Sequence, residues 1–70
     1  MKLLVFDDPT LPERYEWLID DRGDLHDSMR ALARQSYRRN RRPIPDDGLA
    51  ERLRAHSTVD ARPYAPPHTT

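Results

Sequence analysis

The sequence predicts a mainly α protein: a short N-terminal strand followed by two or three short helices and a flexible, proline-containing C-terminal tail. Three observations lead to this prediction. Apolar residues recur at helical spacing through the middle of the chain. A single β-like apolar run stands near the N-terminus. Four of the seven prolines lie at or after Pro45, and three of these fall in residues 58–70, where they disfavour a further helix.

The N-terminal run is predicted to be a strand. Lys2–Phe6 reads KLLVF, which has strand composition but not the length of a helix, and Asp7-Asp8-Pro9 ends it. A single strand cannot pair its own backbone groups, so it needs a neighbour. The sequence allows three alternative neighbours for this strand: the C-terminal stretch STVDARPY, the same strand of a second copy, or the sheet edge of another protein. We take the isolated strand as an indication of assembly.

Two helices are predicted next, separated at Gly23. Thr10 is a residue type that caps helices, a glutamate stands three residues later, and the following apolar residues fall at helical spacing. Gly23 suits the end of this first helix. Asp24 is predicted to cap a second helix that runs to about Asn40, with an acid in its first turn and arginines in its last, as the helix dipole favours.

A third helix, Asp46–His56, is predicted after a break that contains two prolines, and an aspartate is expected to cap it. Residues 1–57 then form a small helical domain with its N-terminal strand, and residues 58–70 form an extended or disordered tail. The predicted core consists of the inward-facing apolar side chains, Leu4, Phe6, Leu11, Tyr15, Leu18, Ile19, Leu25, Met29, Leu32, Leu49 and Leu53.

Composition limits the classes of function. A chain of 70 residues buries only about 60% of its unfolded surface, so its core is small. There is no cysteine, which excludes disulfides and thiolate zinc sites. No apolar run approaches the roughly 20 residues of a membrane span, and the N-terminal run is shorter than a signal-peptide core. We therefore expect a cytoplasmic protein that does not bind membranes.

Residues that could carry chemistry are sparse. The three histidines, His26, His56 and His68, lack a second ligand at metal-site spacing. The aspartates around Gly23 have the positions of helix caps and dipole partners. The serines have no neighbouring base in sequence, and the two glycines form no phosphate-binding loop. We expect no catalytic residues, no metal or other cofactor, no small-molecule substrate and no enzymatic activity.

Charge is segregated along a chain whose formal net charge is zero. Residues 1–29 carry eight acids and three bases, residues 30–42 carry six arginines and no acid, and residues 43–70 carry four acids and three bases. At about 100° per residue, most arginines of the second helix fall on the side opposite its apolar residues. This helix is therefore predicted to carry an exposed stripe of arginines.

The stripe predicts a docking role. The expected partner-binding residues are the stripe and two aromatic side chains, Arg30, Arg34, Arg38, Arg41, Arg42, Trp17 and Tyr37. We expect a small accessory or regulatory protein that docks on a larger protein partner or self-associates, because arginine is favoured at protein interfaces and the pI is near neutral. The alternative is a nucleic-acid-binding regulator, in which arginines contact phosphates, Asn40 and Gln35 contact base edges, and Tyr37 stacks on a base.

Overall fold

The computed structural model describes residues 1–61, which form an α+β fold of one sheet and two helices. The elements are, in chain order, β1 (Lys2–Phe6), β2 (Tyr15–Ile19), α1 (Leu25–Arg39), α2 (Leu49–His56) and β3 (Ser57–Ala61). The strands form an antiparallel sheet in the order β2-β1-β3. The predicted mainly α class is therefore wrong, because only one of the three strands follows from the sequence pattern.

β1 is the central strand of the sheet. At its middle, Leu4 lies opposite Trp17 of β2 on one side and Val59 of β3 on the other. Of the three neighbours considered for this strand, the C-terminal stretch is the one observed, and β2 is a second neighbour that was not anticipated. Both sides of β1 are paired within the chain, so the argument for assembly from an isolated strand is wrong.

β2 replaces the helix predicted between Thr10 and Gly23. Its half-buried residues Tyr15, Trp17 and Ile19 alternate with the exposed Glu16 and Leu18. This alternation has the period of a strand, and aromatic and β-branched side chains fit a half-buried sheet surface. The same residues also match a helical stripe, and pairing with β1 decides between the two patterns.

The turn between β1 and β2 explains why no helix starts at Thr10. The backbone N–H and the hydroxyl of Thr10 both donate to the carboxylate of Asp8, at 2.9 and 2.8 Å. The backbone N–H of Leu11 donates to the carbonyl of Asp8. Asp8 therefore holds its own turn, as aspartate often does, and turns the chain back toward β1.

α1 confirms the predicted second helix. Asp24 is its N-cap and accepts a hydrogen bond from the backbone N–H of Asp27 at 2.8 Å, and Asn40 is its C-cap. α2 ends at His56 as predicted but begins at Leu49, and its N-cap is Gly48, with no aspartate side chain in the capping position. The aspartate cap predicted for this helix is therefore wrong.

β3 follows α2 without a connecting loop. The backbone N–H and the hydroxyl of Ser57 both donate to the carbonyl of Leu53, which closes the helix as the strand begins. Residues 58–61, assigned from sequence to an extended or disordered tail, belong to this strand. The remainder of the predicted tail lies outside the described residues.

The core lies between one face of the sheet and the two helices. Its buried members are Leu4, Phe6, Leu11, Met29, Leu32, Ala33, Tyr37, Leu49 and Leu53. Tyr15 and Ile19, also predicted as core, are partly buried against it. The prediction that Leu18 and Leu25 belong to the core is wrong, because 58% and 36% of their surface is exposed. The strand register puts Leu18 beside Leu3 on the open face of the sheet, away from the helices.

Two leucines of the sheet should therefore differ in their effect on stability. Leu4→Ala removes a fully buried side chain and should lower the free energy of unfolding by about 2–5 kcal/mol. Leu18→Ala removes a side chain of the same size from the open face and should cost less than about 1 kcal/mol. Urea unfolding followed by circular dichroism measures both values. Equal losses would contradict the placement of β2.

Candidate functional site

α1 carries the candidate site because its two sides differ. Its inner side buries Met29, Leu32, Ala33, Ser36 and Tyr37. At about 100° per residue, burial of these positions directs the intervening arginines toward solvent. The hydroxyl of Ser36 is satisfied by the carbonyl of Leu32 at 2.8 Å, so this polar residue is tolerated on the buried side.

Four exposed arginines, which we call the arginine surface, lie along the outer side and the C-terminal end of α1: Arg34, Arg38, Arg41 and Arg42. Within residues 1–61, none of these four guanidinium groups forms a salt bridge or a side-chain hydrogen bond. Arg30, the fifth predicted member, is partly buried and its Nη1 lies 3.5 Å from Nε2 of His26. The positive charge of the surface is therefore not neutralised by the described acids.

The end of α1 holds Arg41 in an unusual conformation. The backbone N–H of Arg42 donates to the carbonyl of Tyr37 at 2.9 Å, and that of Arg41 to the carbonyl of Arg38 at 3.0 Å. This double closure is a Schellman motif, which needs a left-handed residue just after the cap. Arg41 supplies it with φ of 55°, at a position that glycine normally occupies.

A groove adjoins the arginine surface beyond the end of α1. It has a volume of about 330 Å³ and is lined by Thr10, Tyr37, Arg42, Pro43, Ile44, Pro45 and Arg52. Two guanidinium groups, those of Arg42 and Arg52, thus share a groove with the apolar surface of Ile44 and its flanking prolines. The chain after α1 forms one wall, and α2 supplies Arg52 from the other side.

Three of the residues that line the groove, Thr10, Tyr37 and Arg52, contact the buried carboxylate of Asp8, which is 1% exposed. Its Oδ1 accepts both hydrogen bonds from Thr10, and its Oδ2 accepts one from the hydroxyl of Tyr37. Nη1 of Arg52 lies 3.2 Å from both oxygens. One carboxylate therefore joins the turn after β1 to both helices.

These contacts shift two pKa values. Burial alone would raise the pKa of Asp8, but the hydrogen bonds from Tyr37 and Thr10 and the charge of Arg52 outweigh it and lower the pKa to about 2. Burial, together with the hydrogen bond to Asp8 and the charge of that carboxylate, raises the pKa of Tyr37 to about 12. Asp8 is thus ionised and Tyr37 protonated across the neutral range.

The structure leaves neither of the two aromatic residues predicted for partner binding exposed beside the arginines. Tyr37 is 4% exposed and its hydroxyl is bound to Asp8, so its ring packs against Phe6 in the core, with centroids 5.8 Å apart. Trp17 is half-buried on β2 and packs against the core. Neither ring is exposed among the arginines.

Sequence reasoning missed Asp8, Arg52 and Ile44 as parts of this region. Asp8 followed by Thr10 is a pattern typical of a side-chain-supported turn, and that signal was present. Nothing in the sequence indicates that the carboxylate is buried, because its partners Tyr37 and Arg52 lie far along the chain. The groove likewise exists only where segments from three parts of the chain meet.

Comparison with family models, curated proteins and solved structures finds no significant match to this chain. Neither helix within residues 1–61 has the length and apolar character needed to cross a membrane. In the same part of the chain, no three histidine, aspartate or glutamate side chains converge in a way that could hold a metal ion. His68 lies outside it.

The Asp8 contacts predict how stability depends on pH. The folded-state pKa of Asp8 is below the ordinary aspartate value of 3.8, so the stabilisation that Asp8 contributes is complete above about pH 4 and is lost as pH falls toward 2. The folded-state pKa of Tyr37 is above 10, so its contribution is complete below pH 10 and is lost as pH rises toward 12. Each loss of folding free energy should be about 2–3 kcal/mol.

Urea midpoints measured across these two pH ranges test the assignment. Tyr37→Phe should abolish the alkaline loss and reduce the acid one, because the two groups share a hydrogen bond. Asp7→Asn is the matched control, because it removes an exposed carboxylate next to Asp8. An unchanged alkaline profile in Tyr37→Phe would show that another group is responsible.

Proposed function

We propose that the protein is a small, non-enzymatic accessory protein of the cytoplasm that docks, through the arginine surface, on an acidic segment of a larger protein. The observation that carries this proposal is the exposure of four guanidinium groups that no described acid neutralises. Guanidinium groups bind carboxylates in a planar, two-point geometry and are common at protein interfaces. An acidic segment is the partner that complements this surface.

The left-handed backbone conformation of Arg41 supports a binding role for its charged side chain. A left-handed conformation costs a non-glycine residue roughly 1 kcal/mol, and glycine would avoid that cost. Residues in such conformations tend to cluster at functional sites. The Schellman closure also fixes the direction in which the Arg41 side chain leaves the helix, so less order has to be created on binding.

The adjoining groove supports a protein partner in particular. Interfaces combine an apolar anchor with charged groups around it. Ile44, between two prolines, offers the apolar contact, and Arg42 offers the charge, while Arg52 on the other side of the groove is bound to Asp8. A partner segment with one apolar side chain next to acidic ones would fill the groove and reach the arginine surface at the same time.

Two side-chain positions weaken the nucleic-acid alternative. The amide nitrogen of Asn40 donates to the hydroxyl of Tyr15 and the carbonyl of Ser36, at 2.7 and 2.8 Å, which engages one of the two side chains expected to contact base edges. Tyr37, expected to stack on a base, is in the core. Of the side chains expected to read the sequence of a nucleic acid, only Gln35 stays exposed, and the phosphate contacts expected of the arginines carry no sequence information.

Replacing Arg41 separates docking from folding. Arg41→Gly should raise the free energy of unfolding by about 0.5–1 kcal/mol, because it relieves the left-handed backbone. It should weaken binding of a synthetic acidic peptide that contains one leucine by about two- to fivefold, the value of one exposed ion pair. Arg22→Ala, which removes an arginine from the turn before α1, is the control for net charge. Equal binding by Arg41→Gly and the wild type would contradict the proposal.

The class of partner is tested by capture from the host extract. The immobilised wild-type chain should retain its partner after nuclease treatment, and the variant Arg34→Glu/Arg38→Glu/Arg41→Glu should lose it. Loss of the captured protein on nuclease treatment would favour the nucleic-acid alternative. So would direct binding of duplex DNA whose affinity falls steeply with salt and with this triple substitution.

A further inference from the structure

β2 is an edge strand of five residues whose only charged side chain is that of Glu16. Within residues 1–61 it pairs with β1 alone, and alternate backbone groups of an antiparallel edge strand point away from its neighbour. Its sequence, YEWLI, contains no proline or lysine and has high β propensity. Edges of this kind are templates for pairing with another chain.

We propose that β2 pairs antiparallel with β2 of a second copy about a two-fold axis at Trp17, which joins the two sheets into one of six strands. This inference goes beyond the docking function and rests on different residues. Three features of the described residues support it: the set of registers open to a symmetric pair, the charges at the ends of β2, and the direction of α1.

Two-fold symmetry restricts the registers in which β2 can pair with β2 of a second copy. A two-fold axis perpendicular to the sheet keeps each side chain on its own face, and residues opposite each other must share a face. The axis therefore passes through a residue, and near-complete overlap of β2 allows it to be Glu16, Trp17 or Leu18. These three registers place different charges opposite each other.

Charge selects the register centred on Trp17. An axis at Glu16 places two glutamates opposite each other, and an axis at Leu18 places Glu16 opposite Asp20 of the second copy. Like charges in directly opposed positions destabilise a sheet. An axis at Trp17 places Arg14, whose guanidinium donates to Glu16 of its own strand at 2.6 Å, opposite Asp20 of the second copy, twice. The same axis places Glu16 opposite Leu18. It also pairs the two tryptophans, an arrangement that stabilises antiparallel strands.

The direction of α1 relative to β2 also favours the register centred on Trp17. α1 runs antiparallel to β2, because its C-cap Asn40 binds Tyr15 at the start of β2, and the turn after Ile19 leads into its first residue. The two-fold axis then brings the C-terminal end of each α1 beside the N-terminal end of the other. The arginine-rich end of one copy thus lies near the aspartate-rich end of the second.

The flank of α1 that would face the axis carries the matching charges. Tyr37 and His26 face α2, through the Asp8 contact and the groove beside Leu53. At about 100° per residue, Asp24 and Arg39 lie on the opposite flank, above the β2 edge. Arg39 of each copy would approach Asp24 of the other. The outer side, with Arg34 and Arg38, stays exposed, so a dimer presents two arginine surfaces on one side.

Solution mass and a charge exchange test the proposal. The full chain should sediment at about twice its monomer mass of 8.2 kDa. Asp20→Arg should weaken the dimer by at least about tenfold, because it opposes two arginines across each end of the strand pair. Adding Arg14→Asp to that variant should restore association. Asp60→Arg makes the same change of charge on β3 and should leave the mass unchanged.

Single cysteines identify the register, since the chain has none of its own. Glu16→Cys and Leu18→Cys both alter exposed side chains on the open face. With the axis at Trp17, oxidation should cross-link a mixture of the two variants, because the two cysteines then lie opposite each other within disulfide reach. Neither variant alone should cross-link efficiently.

Three outcomes would overturn the proposal. The first is a wild-type chain that stays monomeric at all accessible concentrations. The second is preferential cross-linking of either cysteine variant with itself, which would place the axis at Glu16 or Leu18. The third is a failure of Arg14→Asp to recover association in Asp20→Arg while circular dichroism shows both variants folded.

Discussion

The buried carboxylate of Asp8 is the contact on which the rest of the structure depends. A buried charge is costly unless donors surround it, and here the turn, Tyr37 and Arg52 all contribute. The carboxylate thereby ties the end of the central strand to both helices, in a chain too small to rely on its apolar core alone. It also engages Arg52, which separates that arginine from those that remain unpaired.

α1 transmits this constraint to the surface. The hydroxyl of Tyr37 donates to Asp8, and its ring packs against Phe6. These two contacts fix the rotation of α1 about its own axis. The arginines on the outer side are then directed away from the core, and the Schellman closure fixes where the chain goes next. The groove at Ile44 forms at that point, so the docking region follows from the packing of the helix.

The separation of acids and bases along the chain has a spatial counterpart. The aspartates after β2 lie at the N-terminal end of α1 and the arginines at its C-terminal end, an arrangement that also suits the helix dipole. A molecule with no net charge can therefore hold two oppositely charged ends about 20 Å apart, given the length of a helix of this size. Such a distribution favours oriented association over general attraction.

Local physics was sufficient for β1 and α1, whose composition, length and caps all indicate one structure. It was sufficient also for the exposure of Arg34 and Arg38, because helical periodicity alone places them, whereas Arg30 of the predicted stripe is partly buried. The sequence by itself could not decide β2, since Tyr15, Leu18 and Ile19 suit either a strand or a helix, and only pairing with β1 distinguishes them. Nor could it bury Asp8 or Tyr37, whose partners are distant in sequence. Tertiary structure decided these, because burial and strand pairing are properties of segments brought together by folding.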